Sequence, residues 1–187
     1  MSVASDHTGP WTVADVLALP EDRTMRYELL GESLIMSPAP GIRHQRASFR
    51  LHVALDTAAR AVGAPVEILE GVNVVLPSGL VAPDLVVADA GATADDPVTI
   101  DIEAVQLVVE LVSPGNRTMD RKVKPMLYAE AAIPHFWRLE FDPAPILVVH
   151  ELEGGRYVER TTALAGATTH LNDPFPVAID PAGLSRQ

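Results

Sequence analysis

The sequence predicts an α+β fold, a mixed β-sheet flanked by helices, and three observations carry the expectation. β-prone runs recur along most of the chain, several closed by Gly-containing turns. Residues 41–62 repeat apolar side chains at three- and four-residue steps, the spacing of an amphipathic helix. The run "VQLVVELVS" is almost unbroken in its apolarity, which suits a central strand covered on both faces.

The elements follow in order. "TVADVLALP" offers Thr12 as a helix cap, with Val13, Val16 and Leu17 at helical spacing before Pro20 ends the segment. "MRYELLGESLIMSPAP" has two β-prone runs either side of Gly31-Glu32 and reads as a hairpin with Glu28 inside its first strand. Over Gly41–Val62, Ala47, Leu51, Ala54, Leu55, Ala58 and Val62 define an inner face, while Arg46, Arg50 and Arg60 fall elsewhere and predict a basic outer face. Three further β runs are "VEILEGVNVVLP", "LVAPDLVVAD" and "VQLVVELVS"; between the last two, residues 91–101, rich in Ala and Asp, read as a surface loop. "MDRKVKPMLYAEAA" is helical provided Pro125 lies in the first turn, where a missing N–H does no harm. "HFWRLEF", "PILVVHELEGGRYVER" and the tail add strands, with Gly154-Gly155 as a hairpin turn. Residues 1–10 are polar and expected to be disordered.

Composition narrows the chemistry. A chain of 187 residues without repeat, linker or low-complexity block suits a single domain over 1–187. No apolar stretch approaches the roughly 18 residues of a membrane span, and the N-terminus lacks a basic-then-apolar signal pattern, so a cytoplasmic protein is expected. There is no cysteine, so a metal would have to be held by oxygen or imidazole ligands, which favours magnesium or manganese. The formal charge of −11 argues against avid, non-specific binding to a polyanion. Two segments are nonetheless locally basic: Arg43, Arg46, Arg50 and Arg60 face only Asp56, and Arg117, Arg121, Lys122 and Lys124 face only Asp120.

Three carboxylates interrupt apolar strands: Glu28 in "YELL", Asp84 in "APDLVV" and Glu110 in "LVVELVS". Any one of them alone is ordinarily a strand-end, solvated or Arg-paired residue. Together they point to a site, because neighbouring strands lie roughly 4.8 Å apart and carboxylates facing the same way can share one hard cation. Such a cation polarises a phosphoryl oxygen and lowers the pKa of a water, and a lysine nearby can orient that water or offset charge on the phosphate. Lys122 and Lys124, in the helix after the Glu110 strand, are the candidates.

Pro83-Asp84 followed by Glu110 in an apolar strand resembles the PD-(D/E)XK superfamily of metal-dependent nucleases with a restriction-endonuclease-like fold. Within it, "YELLGESLIMSPAPGIRHQ", "PDLVV", "VVELVSP" and "DRKVKPMLYAEAAIPHFWRLE" resemble, in the same order, the Uma-two family of endonucleases, from about Met25 to Tyr157. The resemblance implies a restriction-endonuclease-like core with acids at a bend in the sheet. It also implies Asp84 and Glu110 as ligands of Mg2+ or Mn2+, Glu28 as an additional acid, and DNA as substrate. The superfamily's lysine two residues after the second acid is Val112 here; the family instead carries a lysine four residues after an aspartate in the next helix, which selects Lys124, with Lys122 in reserve.

Around this set the assignments stay open. Tyr128, one turn beyond Lys124, either touches the site or packs in the core with its hydroxyl satisfied. His44 either contributes to the site or caps a helix. Arg117, Arg121, Arg43 and Arg46 are candidate DNA contacts against a default of solvated charge, and Trp137 is expected in the core. Glu140 replaces the family's aspartate, and Gly115-Asn116 its hydroxyl-rich pair. A homodimer is expected only because two-fold dimers are the commonest oligomers. The competing class is a catalytically inactive module of the same fold that binds nucleic acid or protein, in which the acids serve structural ion pairs.

Overall fold

The computed structural model describes residues 7–20 and 22–186, so the first six residues of the expected disordered segment lie outside the described residues. Thr12 caps α1 (Val13–Leu17) through a reciprocal pair with Asp15. Strands β1 (Met25–Leu30) and β2 (Ser33–Pro38) form the expected hairpin, and α2 (Ile42–Val62) the expected long helix, stopped by Gly63 in the left-handed region. There follow β3 (Val66–Glu70), β4 (Asn73–Leu76), β5 (Gly79–Val81), β6 (Leu85–Asp89), α3 (Ala90–Thr93), β7 (Thr99–Asp101) and β8 (Val105–Leu111). After a π-helical turn over Met119–Val123 come α4 (Lys124–Glu130), β9 (His135–Glu140), β10 (Ile146–Glu153), β11 (Arg156–Leu164), β12 (Thr169–Leu171), β13 (Val177–Ile179) and α5 (Pro181–Ser185).

The strands form two main sheets and a small hairpin rather than one sheet. One sheet has the order β2-β1-β5-β4-β7, the other β11-β10-β9-β8-β6-β3, and β12 pairs with β13. Two of the continuous β runs expected from sequence are therefore broken. "VEILEGVNVVLP" divides at Gly71, whose φ of 60° turns the chain from one sheet into the other. "LVAPDLVVAD" divides at Ala82-Pro83-Asp84, because proline cannot donate to a ladder. Residues 91–101, expected as a loop, hold the end of α3 and the strand β7, which runs parallel to β4. The tail adds α5 beside its strands.

Alternation assigns the two faces of the six-stranded sheet. Leu85 and Val87 of β6, Leu107, Val109 and Leu111 of β8, and Trp137 and Leu139 of β9 pack with Ala47, Leu51, Leu55 and Ala59 of α2. Each fully buried leucine here stabilises by about 1.5–3 kcal/mol. Val86, Ala88, Val108 and Phe136 face the opposite way, onto β4, β5 and Tyr128 of α4. The inner face of α2 differs from expectation at one position, since Val62 is 52% exposed. Its basic outer face is also not free: Arg50 donates to the carbonyls of Gly183 and Arg186, and Arg60 pairs with Asp56.

Gly79 fixes how closely the sheets' shared segment can run. It pairs with Leu30 in β1, and a Cβ at this position, at φ 147°, would lie 2.0 Å from the Leu29 carbonyl oxygen. Only glycine permits that approach. The approach brings Glu28 of β1 to the chain that crosses between sheets.

Candidate active site at the crossing of two sheets

Asp84 is the last residue of the crossing and precedes β6. Leu85 stands opposite Val109 in the antiparallel β6–β8 pair, so one further step sets Asp84 across from Glu110. Both belong to the side-chain rows that face α4 and the smaller sheet, the alternation that also buries Val86 and Val108 there. Glu28 approaches from β1, with its Oε1 accepting from the Ala82 N–H at 3.0 Å. All three carboxylates are buried.

Each acid has its own partners. Asp84 Oδ2 accepts from the Leu111 N–H at 2.8 Å and lies 3.1 Å from His44 Nε2, while Oδ1 accepts from Arg26 Nη1 at 3.0 Å. Burial pushes this carboxyl upward, but His44, the Arg26 guanidinium and the Leu111 N–H together hold it down to about 2. Lys124, 4% exposed, places Nζ 3.0 Å from Glu110 Oε1 and 2.9 Å from Glu28 Oε1. Burial opposes its charge, yet the two glutamates raise its pKa above the ordinary lysine value. The Tyr128 hydroxyl donates to the same Glu110 oxygen at 2.5 Å.

Glu110 is the acid with too little positive charge around it. Burial, together with Asp84 and Glu28, pushes it up to about 8 against the opposing pull of Lys124. Asp120, about one turn before the lysine, accepts from the Ser113 N–H at 3.3 Å and is raised to about 6, chiefly by burial. A cavity of about 530 Å3 opens beside these groups, lined among others by Glu28, Asp84, Glu110, Asp120 and Lys124. Among the described residues Glu28 Oε2 and Glu110 Oε2 accept no protein hydrogen bond.

The structure thus brings together Glu28, Asp84, Glu110, Lys124, His44 and Tyr128, and lines the cavity with Arg43, Arg117 and Arg121. Two expected residues are elsewhere: Lys122 is exposed and Arg46 half-buried, and neither lines the cavity. In the widened turn Lys122 points to solvent two residues before Lys124 turns inward. Arg43 is tethered to Asp142 and the Phe141 carbonyl, and Arg121 to Glu140, which Arg138 also holds at 2.9 Å. Arg26 was not anticipated from sequence. Its signal was available, since Arg26 and Glu28 alternate on one strand and so share a face.

The donor set fits a hard cation in two respects. It is built from carboxylate oxygens, and against four neighbouring acids (Glu28, Asp84, Glu110 and Asp120) stand two fixed cations, Arg26 paired with Asp84 and Lys124 with Glu28 and Glu110. Ligands are not gathered in advance, however: no cluster of three metal-ligating side chains occurs among the described residues.

Two sheets flanked by helices form an α+β fold, with the acids where the chain passes between the sheets and a buried lysine on the next helix. The chain belongs to the Uma2 family, whose model, described as "Putative restriction endonuclease", matches residues 13–184. It is similar to a crystal structure from Anabaena variabilis described as "a putative nuclease belonging to DUF820", with a TM-score of 0.67 and 14% identity over 82% of this chain and 83% of that one. No curated protein matches.

Proposed function

We propose that this protein is a metal-dependent endonuclease that hydrolyses DNA phosphodiester bonds, with Asp84 and Glu110 holding Mg2+ or Mn2+. The observation that carries the reading is the buried Glu28–Lys124–Glu110 bridge beside Asp84, in a chain of the family described as "Putative restriction endonuclease". A nuclease-like activity follows from the family; the metal, the DNA substrate and the residue roles are the proposal. When bound, the divalent ion supplies Lewis-acid polarisation of the phosphodiester and acidifies a water.

The protein's own residues do the rest. Lys124, kept charged by two glutamates, orients the attacking water and offsets charge building on the phosphate. Glu28 anchors that ammonium from the opposite sheet, and Tyr128 fixes the carboxyl plane of Glu110. Arg117 and Arg121 at the cavity edge supply cations for phosphate contacts in a chain whose net charge is otherwise unfavourable.

A second reading has one observation in its favour. Both oxygens of Asp84 are engaged by protein donors, as expected if the acids serve structural ion pairs in a non-catalytic binding module. Plasmid and single-stranded DNA cleavage in magnesium, manganese or EDTA separates the two, comparing wild type with Asp84→Ala and Lys124→Ala. Removing Lys124 strands two buried carboxyls and costs about 3–5 kcal/mol, so urea unfolding is measured in parallel. Cleavage that needs the metal and is lost in both variants while they remain folded supports the nuclease. Wild type that never cuts either substrate with either metal favours the binding module.

A further inference from the structure

The outward face of α2 has a regularity that the site does not use. Ile42, Arg46, Phe49, Val53, Asp56 and Arg60 recur at alternating steps of four and three residues, which places them in one seam roughly 27 Å long at 1.5 Å per residue. This seam lies opposite the face packed on the sheet. Ile42 is 75%, Phe49 62% and Val53 44% exposed, three large apolar side chains together on a helix whose other apolar face is buried. Such a patch on an acidic, charged chain is a contact surface in search of a partner.

Its charges specify the partner. The seam is symmetric about Leu51: Phe49 and Val53 flank that position, Arg46 and Asp56 stand further out at equal distance, and Ile42 and Arg60 further still. Turning the helix end over end about Leu51 therefore superposes each residue on its counterpart. In an antiparallel pair, Phe49 meets Val53 of the second copy, and Arg46 meets Asp56 of the second copy, twice. The stem of Arg60 covers Ile42 of the second copy. Arg46 has no carboxylate partner among the described residues, and Asp56 pairs only with Arg60, one turn away on its own helix.

We propose that the protein forms an isologous homodimer through antiparallel α2 seams, with its two-fold axis at Leu51. The inference does not rest on the nuclease reading: of the seam residues only Ile42 also lines the cavity, and none belongs to the acid cluster. A single helix pair buries less than a standard interface, so the dimer is dissociable and sensitive to each seam residue. It is also self-complementary in the way a closed two-fold contact demands.

The test uses sedimentation equilibrium of the full chain. Wild type is expected to dimerise. In Arg46→Glu every Arg46–Asp56 contact becomes acid against acid, and in Asp56→Arg base against base, so each alone is expected to raise the dissociation constant at least tenfold. Mixed in equal amounts, the two variants regain both opposite-charge contacts and are expected to form a heterodimer of near wild-type affinity. Phe49→Ser is expected to abolish association in every combination. These positions are exposed or at the helix surface, and circular dichroism checks that each variant remains folded. A monomeric wild type overturns the proposal, as does a dimer that is indifferent to Arg46→Glu and Asp56→Arg, or a mixture that fails to restore association.

Discussion

Lys124 holds its charge at a nearly buried position on the cavity wall, and Glu28 and Glu110, which approach from different sheets, balance it there. Glu110 pays the larger electrostatic cost of that arrangement. Its folded-state pKa of about 8 lies above the ordinary 4.5, so the folded protein holds a proton that the unfolded chain has already lost. By linkage, stability without a divalent ion falls as pH rises from about 4.5 to about 8. Saturating magnesium favours the ionised carboxylate and should flatten that decline; urea midpoints across this window, with and without the ion, measure it. Asp84 has the opposite sign: its contribution is present above about 3.8 and is lost as pH falls through about 2. At this scale the sequence was informative about charge and silent about partners. Three acids in apolar strands and a lysine after Asp120 were legible as residues that burial would penalise. That Asp84 is answered by Arg26 and His44 was not, since the pairing joins residues 58 and 40 positions apart.

Local signals were strong wherever an element was bounded by its own chemistry. The Gly31 and Gly154-Gly155 hairpins, the capped α1, the amphipathic α2 and the proline-opened α4 all form where turn and cap residues mark them. The division of two β runs between sheets was less legible, because apolar continuity is the same whether a strand stays in one sheet or crosses to another. Only Gly71 and Pro83 marked the breaks, and β7 is too short to show a period. The π-helical turn was hidden as well, although it is what sends Lys122 to solvent and Lys124 inward. Gly79 gives this scale its test. Gly79→Ala forces β1 and β5 apart at the Leu29 carbonyl and should cost about 2–4 kcal/mol in urea unfolding. Since β1 carries Glu28, the same variant should weaken the Lys124 bridge, whereas an alanine at the unobstructed Gly115 should do neither.

For the whole molecule, the site lies where the chain passes from the smaller sheet to the larger through Ala82-Pro83-Asp84. The six-stranded sheet supplies Glu110, the smaller sheet supplies Glu28, the crossing supplies Asp84, and α4 supplies Lys124. Among the described residues no helix is long and apolar enough to cross a membrane. A net charge of −11 leaves little general attraction for nucleic acid, so under the proposed function binding rests on a divalent ion and on the arginines that line the cavity. Under the proposed function the buried acids hold a divalent ion. The most direct measurement is Mn2+ binding, followed by electron paramagnetic resonance, in wild type, Glu110→Gln and Asp84→Asn, each checked for folding. Saturable binding is expected in wild type, weakened at least tenfold in both variants and displaced by Mg2+. Binding that is absent from wild type, or unchanged in the variants, would contradict that function and leave the acids as ion-pair members of the fold.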